Sequence, residues 1–165
     1  MNIPISKALV ENVLLKDVFP VKLFIDLKEK EFSGYIYLVI DSEFGFEESI
    51  ILFLKGDICG SIYYNDYLNI EQFGRNALEF GFNCFGFRNG ILNIYELSLD
   101  QIKLLLIFND KIVYNFKIKK KDISKIIFNY NPDKLKKFVD NNINIDNVTK
   151  YNLLDKFHLN DILRN

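Results

Sequence analysis

Three apolar runs crowd into the stretch from residue 35 to residue 64: Tyr35–Ile40, Ser49–Leu54 and Ile58–Tyr64. Each is rich in β-branched and aromatic residues, which suit a pleated, half-buried surface. Ser49–Leu54 is apolar at every position after its serine, the mark of a strand with neighbours on both sides. Polar segments separate the runs: Asp41–Glu48, which contains Gly45, and Lys55-Gly56-Asp57, where Gly56 can take the positive φ of a tight turn. The three read as an antiparallel meander, and the rest of the chain has to be arranged around it.

Helical periodicity precedes the meander. From Pro20 to Phe32 the apolar positions Val21, Leu23, Phe24, Leu27 and Phe32 form a stripe, with Lys22, Asp26, Lys28, Glu29 and Lys30 left for solvent. After it, Asn69 with Gln72 has the form of a helix cap, predicting a helix from Asn69 that Gly81 and Gly86 bring to an end. Gly90–Leu97 reads as a fourth strand, and Ser98 with Gln101 caps a helix over Leu99–Phe108. Residues 111–119 alternate loosely and predict a half-exposed edge strand. Asn131-Pro132 opens a short helix through Val139, the polar 140–147 stretch reads as a linker, and Thr149 caps a last helix over Lys150–Phe157. The expected fold class is α+β: an antiparallel sheet from residues 33–64, 90–97 and 111–119 covered by helices. Residues 1–130 form the main domain, and residues 131–165 a short helical C-terminal appendage.

Composition narrows the class. The 16 Phe and 9 Tyr supply ample apolar area for one core. Cys59 and Cys84 have no metal-type spacing, so reduced thiols and a cytoplasmic location are expected. Met1–Val10 has neither the basic segment nor the apolar run of a secretory signal, and no apolar stretch approaches the roughly twenty residues of a membrane span, so no membrane role is expected. The formal charge of −1 conceals a split: residues 1–100 carry eight Lys/Arg against fifteen Asp/Glu, and residues 101–165 carry thirteen against seven.

No residue constellation spells out a chemistry. His158 stands alone beside Phe157 and Leu159, with no orienting partner for acid/base work. Cys59 and Cys84 read as small buried hydrophobes. Gly81, Gly86 and Gly90 match no phosphate-cradling motif. Asp41, Glu43, Glu47 and Glu48 offer oxygen ligands for a hard cation, but their spacing fits no EF-hand loop and favours a solvated hairpin turn. We therefore expect no catalytic residue, no metal and no cofactor.

Two surfaces stand out instead. Tyr63, Tyr64 and Tyr67 are candidate anchors for a protein partner, since Tyr is common at interface hot spots, although burial with a satisfied hydroxyl is favoured for any one of them. Lys117, Lys119, Lys120, Lys121 and Lys125 form a basic run beside Tyr114, Phe116 and Phe128, which offers contact to a polyanion if those rings are exposed for stacking. The competing reading is a charged edge that discourages strand pairing, with Phe116 and Ile118 facing the core.

Phe32-Ser-Gly-Tyr-Ile-Tyr-Leu38, Ile51–Tyr63 with its Lys55-Gly56-Asp57 turn, and Asn76-Ala-Leu-Glu79 together resemble the archaeal family called domain of unknown function twenty-two twenty-six. Gly90–Leu97, continuing through Ser98, Gln101 and Leu104 to Phe108 and Asn109, is similar to a further stretch of that family, and Thr149–Phe157 to its terminal small helix. Ser61 stands at or beside the family's small Ala, and Asn93 where an Asp is usual. That family resembles the PATAN-type domains of bacterial regulators. The resemblance implies a fold and, at the level of fold alone, protein interaction or signalling. The resulting expectation is a non-catalytic interaction or regulatory module in the archaeal cytoplasm, with a protein partner or a homodimer. The alternative is nucleic-acid binding through the basic C-terminal third.

Overall fold

The structure is a computed structural model that describes residues 3–4, 7–126 and 128–140. The chain divides into two compact units, residues 1–130 and 131–165. In the first, β1 (Ala8–Leu14) leads through a 3-10 turn to α1 (Pro20–Glu29), then β2 (Gly34–Ser42), β3 (Gly45–Leu54), β4 (Asp57–Asn65), β5 (Ile70–Phe73), α2 (Gly74–Cys84), β6 (Gly90–Glu96), α3 (Leu99–Phe108), a second 3-10 turn, β7 (Val113–Phe116) and α4 (Lys120–Ile123). All seven strands join one sheet in the order β1-β6-β2-β3-β4-β5, with β7 beside β5 on the outer edge of β4. Every pairing is antiparallel, so the fold is α+β.

The meander is held by its turns. Leu54 pairs with Asp57 across a two-residue loop in which Lys55 has φ +50° and Gly56 φ +76°, the left-handed pair that matches strand twist. A Cβ on Gly56 would stand 2.8 Å from the Lys28 backbone, so the same glycine lets α1 rest against the hairpin.

Strand alternation sorts two cores. One face carries Ile36, Leu38, Ile51 and Phe53 beneath α1 and α2, with Phe24 at its centre. The Phe24 ring lies within 6 Å of Phe53, Phe82, Phe85 and Phe128. The other face carries Tyr35, Leu52 and Ile62, onto which α3 lowers Ile102 and Leu105. α3 begins as expected: the Ser98 hydroxyl accepts from the Gln101 amide, and the Gln101 side chain accepts from the Ser98 amide.

Four elements depart from the sequence reading. β1 was not anticipated, because its alternation is broken by a bulge at Asn12, φ +56°, whose N–H donates to Asn93 Oδ1 at 2.8 Å across the sheet. An Asp at position 93 would accept the same bond, which gives the position a structural role. The helix predicted from Asn69 starts at Gly74 instead. Asn69 takes φ +51° to close the β4–β5 turn, and residues 70–73 pair with β4. Gly81 does not end α2 but lies inside it, where a Cβ would meet Ser49 Oγ at 2.5 Å; the glycine is what lets the helix sit on β3. The predicted 111–119 strand is only Val113–Phe116, because the Ile118 N–H leaves the ladder for the Asp57 carboxylate.

After α4 the chain crosses to α2, seating Phe128 against Phe24, Phe82 and Phe85 and Tyr130 against Phe87. Gly86 permits this crossing, since a Cβ there would stand 2.1 Å from the Tyr130 nitrogen. Gly86→Ala is expected to lower stability by about 1–3 kcal/mol through overpacking against backbone, measured by urea unfolding. Unchanged stability would show that the crossing segment does not pack there.

In the second unit, helix α5 spans residues 132–140, with the Asp133 N–H donating to Asn131 Oδ1 at 2.9 Å as an N-cap requires. Of the linker expected over residues 140–147, Asp140 belongs to α5; the rest of it, the helix expected over Lys150–Phe157 and His158 lie outside the described residues.

Candidate functional site

The four carboxylates expected in one solvated turn are divided among three environments. Gly45 already starts β3, so Glu47 and Glu48 are strand residues that point to opposite faces. Asp41 and Glu43 are exposed, whereas Glu48 accepts a hydrogen bond from the Tyr37 hydroxyl at 2.6 Å. Burial first, then the neighbouring Glu48, push the Tyr37 phenol above its ordinary pKa. Among the described residues no group of His, Cys, Asp or Glu is arranged to hold a metal ion.

Glu47 is 1% exposed, which corrects its assignment to a solvated turn. Its Oε2 accepts from Tyr63 Oη at 2.7 Å and faces Cys84 Sγ at 3.9 Å, and its Oε1 accepts from Tyr130 Oη at 2.8 Å. Desolvation raises the pKa of Tyr63, Cys84 and Tyr130, and the adjacent Glu47 carboxylate adds to each rise. Tyr63, Cys84 and Ser49 are fully buried beside it. This is a buried polar knot tying β3, β4, α2 and the chain at Tyr130.

Tyr63 is therefore lost as a partner anchor: its ring stacks on Phe80, centroids 4.7 Å apart, and its hydroxyl is committed to Glu47. The structure does not bring the three tyrosines together. Tyr64 is half-buried on the opposite sheet face, bonded to Glu71, and Tyr67 is 80% exposed in the β4–β5 turn against Gly45. Lys117 and Lys119 on the segment after β7, Lys121 on α4 and Lys125 in the turn after it are exposed, and the side chain of Lys120 lies outside what the structure describes. Of the rings beside them, Phe128 packs into the Phe24 cluster, whereas Tyr114 and Phe116, the latter against Phe82, are half-buried and line a pocket of about 320 Å³ with Lys125.

Among the described residues, exposed large apolar side chains gather on α3. Residues 104–108 read Leu-Leu-Leu-Ile-Phe, and five consecutive apolar residues exceed the arc that one helix face can bury. Ile102 and Leu105 meet the sheet; Leu104, Ile107 and Phe108, spaced i, i+3, i+4, are 53%, 71% and 79% exposed. Asp100 and Lys103 flank this stripe at one end, 3.8 Å apart. Lys111 flanks the other, its ammonium held 4.0 Å over the Phe73 ring. Beside Leu99 opens a groove of about 480 Å³ whose lining mixes Leu9 and Leu99 with the charged Lys30, Glu31, Lys55 and Glu96. The uninterrupted apolar run was the signal for this face, and the tyrosines drew attention away from it.

A seven-stranded antiparallel sheet with helices on both faces, a buried polar knot and an exposed apolar helix face define an α+β domain. Residues 1–109 match the profile of a family described as uncharacterized protein conserved in archaea (DUF2226), and the chain belongs to that family. The match ends just after α3, while β7, α4 and the segment to Tyr130 complete the packed unit beyond it. No curated protein and no solved structure matches the chain. Among the described residues no helix is long and apolar enough to cross a membrane.

Proposed function

We propose that this protein is a non-catalytic interaction module whose docking element is α3. One observation carries the reading: Leu104, Ile107 and Phe108 form a contiguous exposed apolar stripe on a helix whose other face is anchored in the core. Singly exposed apolar residues are ordinary, but a contiguous stripe rimmed by charge marks a contact surface. Two buried free thiols accord with a reducing cytoplasm. The exposed lysines after β7 supply charge for nucleic-acid binding, but Phe128 beside them is packed into the Phe24 cluster and Tyr114 and Phe116 are half-buried, which puts that reading second.

The test is chemical cross-linking of the full chain in native extract, with the linked peptides sequenced. Links from Lys103 or Lys111 to a second polypeptide, abolished by Ile107→Asp with the melting temperature unchanged, are expected. Links that persist in Ile107→Asp, or that radiate only from Lys117–Lys125, would overturn the reading.

A further inference from the structure

We infer that the pocket between α2, β7 and α4 is a binding site for one nucleotide, with the base against Tyr114 and the phosphate over the lysines that follow β7. None of its residues belongs to α3, so the inference stands or falls separately from the docking reading.

Three elements build the pocket, each with one face. On α2, Arg75, Leu78, Glu79 and Phe82 recur at i, i+3, i+4 and i+7. On β7, Tyr114 and Phe116 are two apart and share a side, while Val113 and Asn115 are exposed. Asp122 on α4 and Lys125 in the turn after it complete the lining of a cavity of about 320 Å³. Small-ligand sites take about 300–1,000 Å³ and combine apolar and aromatic walls with a few polar groups, which is the composition here.

Two kinds of group in this pocket are unspent. Tyr37, Tyr63 and Tyr130 commit their hydroxyls to Glu48 or Glu47. Half-buried Tyr114, by contrast, has neither a hydrogen bond from its hydroxyl nor a ring contact among the described residues. A ring held in a cavity wall without a partner of its own offers a surface on which a planar ligand stacks. The charged groups divide in the same way. Arg75 is spent on Glu79, Nε to Oε1 3.2 Å, whereas Lys125 and Asp122 have no ion pair among the described residues. Lys125 supplies donors for an anion, and Asp122 an acceptor for an N–H or O–H. The segment 117–125 carries five lysines against that one Asp, so an anion is drawn to the mouth of the pocket.

The ligand that meets all of these groups has a flat ring with donors on its edge and a phosphate attached. A nucleotide has them, whereas a phosphorylated phenyl ring would leave Asp122 without a donor. A nucleic-acid strand would need further rings for successive bases, and Phe128 is packed into the Phe24 cluster. The occupant is therefore a single nucleotide.

Isothermal titration calorimetry of the full chain with each of the four common nucleoside 5′-monophosphates reads it. At least one is expected to bind, one per chain, with a Kd of about 100 μM, since only the base is enclosed. The parent nucleoside and phenyl phosphate should each bind at least ~10-fold more weakly. Lys125→Glu should weaken binding ~10-fold and Lys125→Arg should preserve it, and Tyr114→Ala should weaken it ~10-fold. Lys125 is exposed, so circular dichroism is expected to show both of its variants folded, whatever Tyr114→Ala does to β7. Amide NMR should place the shifts caused by the bound nucleotide at residues 75–82, 114–116 and 122–126. No binding by any of the four, binding indifferent to Lys125→Glu, or phenyl phosphate held as tightly as the nucleotide would overturn the site. A twelve-nucleotide single strand bound more than ~100-fold tighter than the monophosphates would replace the single nucleotide by a strand.

Discussion

Glu47→Leu is expected to destabilise the protein by about 3 kcal/mol, the largest single-residue effect we anticipate. Leu is near in volume, so little cavity opens, and the loss is that of an acceptor. Two phenol hydroxyls, Tyr63 and Tyr130, lose the oxygen they donate to, and a buried donor left unpaired costs about 1–3 kcal/mol. Glu47→Gln keeps one acceptor and is expected to cost less. Adding Tyr63→Phe to Glu47→Leu removes one stranded hydroxyl and should recover part of the loss, a coupling that a double-mutant cycle in urea isolates. Additive losses would mean that the two side chains do not share their bond.

Alkali is expected to unfold the protein steeply above pH 10. Desolvation raises the Cys59 thiol to about 12, and desolvation followed by Glu47 raises the Cys84 thiol and the Tyr63 phenol. In the unfolded chain these groups release protons near pH 9 and 10. Below pH 9 both states hold them and folding is undisturbed. Between the unfolded and folded values only the native chain holds them, so stability falls as pH rises. Each such proton contributes about 1.4 kcal/mol per pH unit, and the three together about 4. Tyr37 and Tyr130 shift in the same direction. Urea titrations across this range check the slope, and a stability that stays level from pH 8 to 11 would contradict the burial assigned to these groups.

What could be read from the sequence divides along a physical line. The meander, the Lys55-Gly56 turn, the Ser98–Gln101 capping box and the Asn131-Pro132 helix start are local: a few adjacent residues settle each. β1 and β5 are not local. Neither alternates cleanly over its length, and each exists because a neighbour, β6 or β4, offers an open edge. Asn69 misled because the same side chain serves a helix cap and a left-handed turn position, and the choice was made by Asn65 and Asp66, which close the turn around it. Gly81 reads as a breaker until its neighbour Ser49 is known.

The site followed the same rule. Glu47 looked like one of four surface carboxylates because a two-residue hairpin loop, Glu43-Phe44, inside the eight-residue stretch 41–48 could not be foreseen; once β3 begins at Gly45, alternation sets Glu47 and Glu48 on opposite faces. Tyr63 and Tyr64 are parted by the same alternation, one sealed against Glu47 and one on the opposite face. The apolar run of α3 was visible from the outset as a length of hydrophobic residues. That half of it stays in water depends on the sheet meeting only Ile102, Leu105 and part of Leu106.

The most direct measurement is a pair of amide NMR spectra of the isotopically labelled full chain, alone and in unlabelled native extract. The account predicts shifts and line broadening on addition of extract, centred on residues 99–108 and lost in Ile107→Asp. Spectra that extract leaves unchanged, or changes confined to Lys117–Lys125, would contradict it.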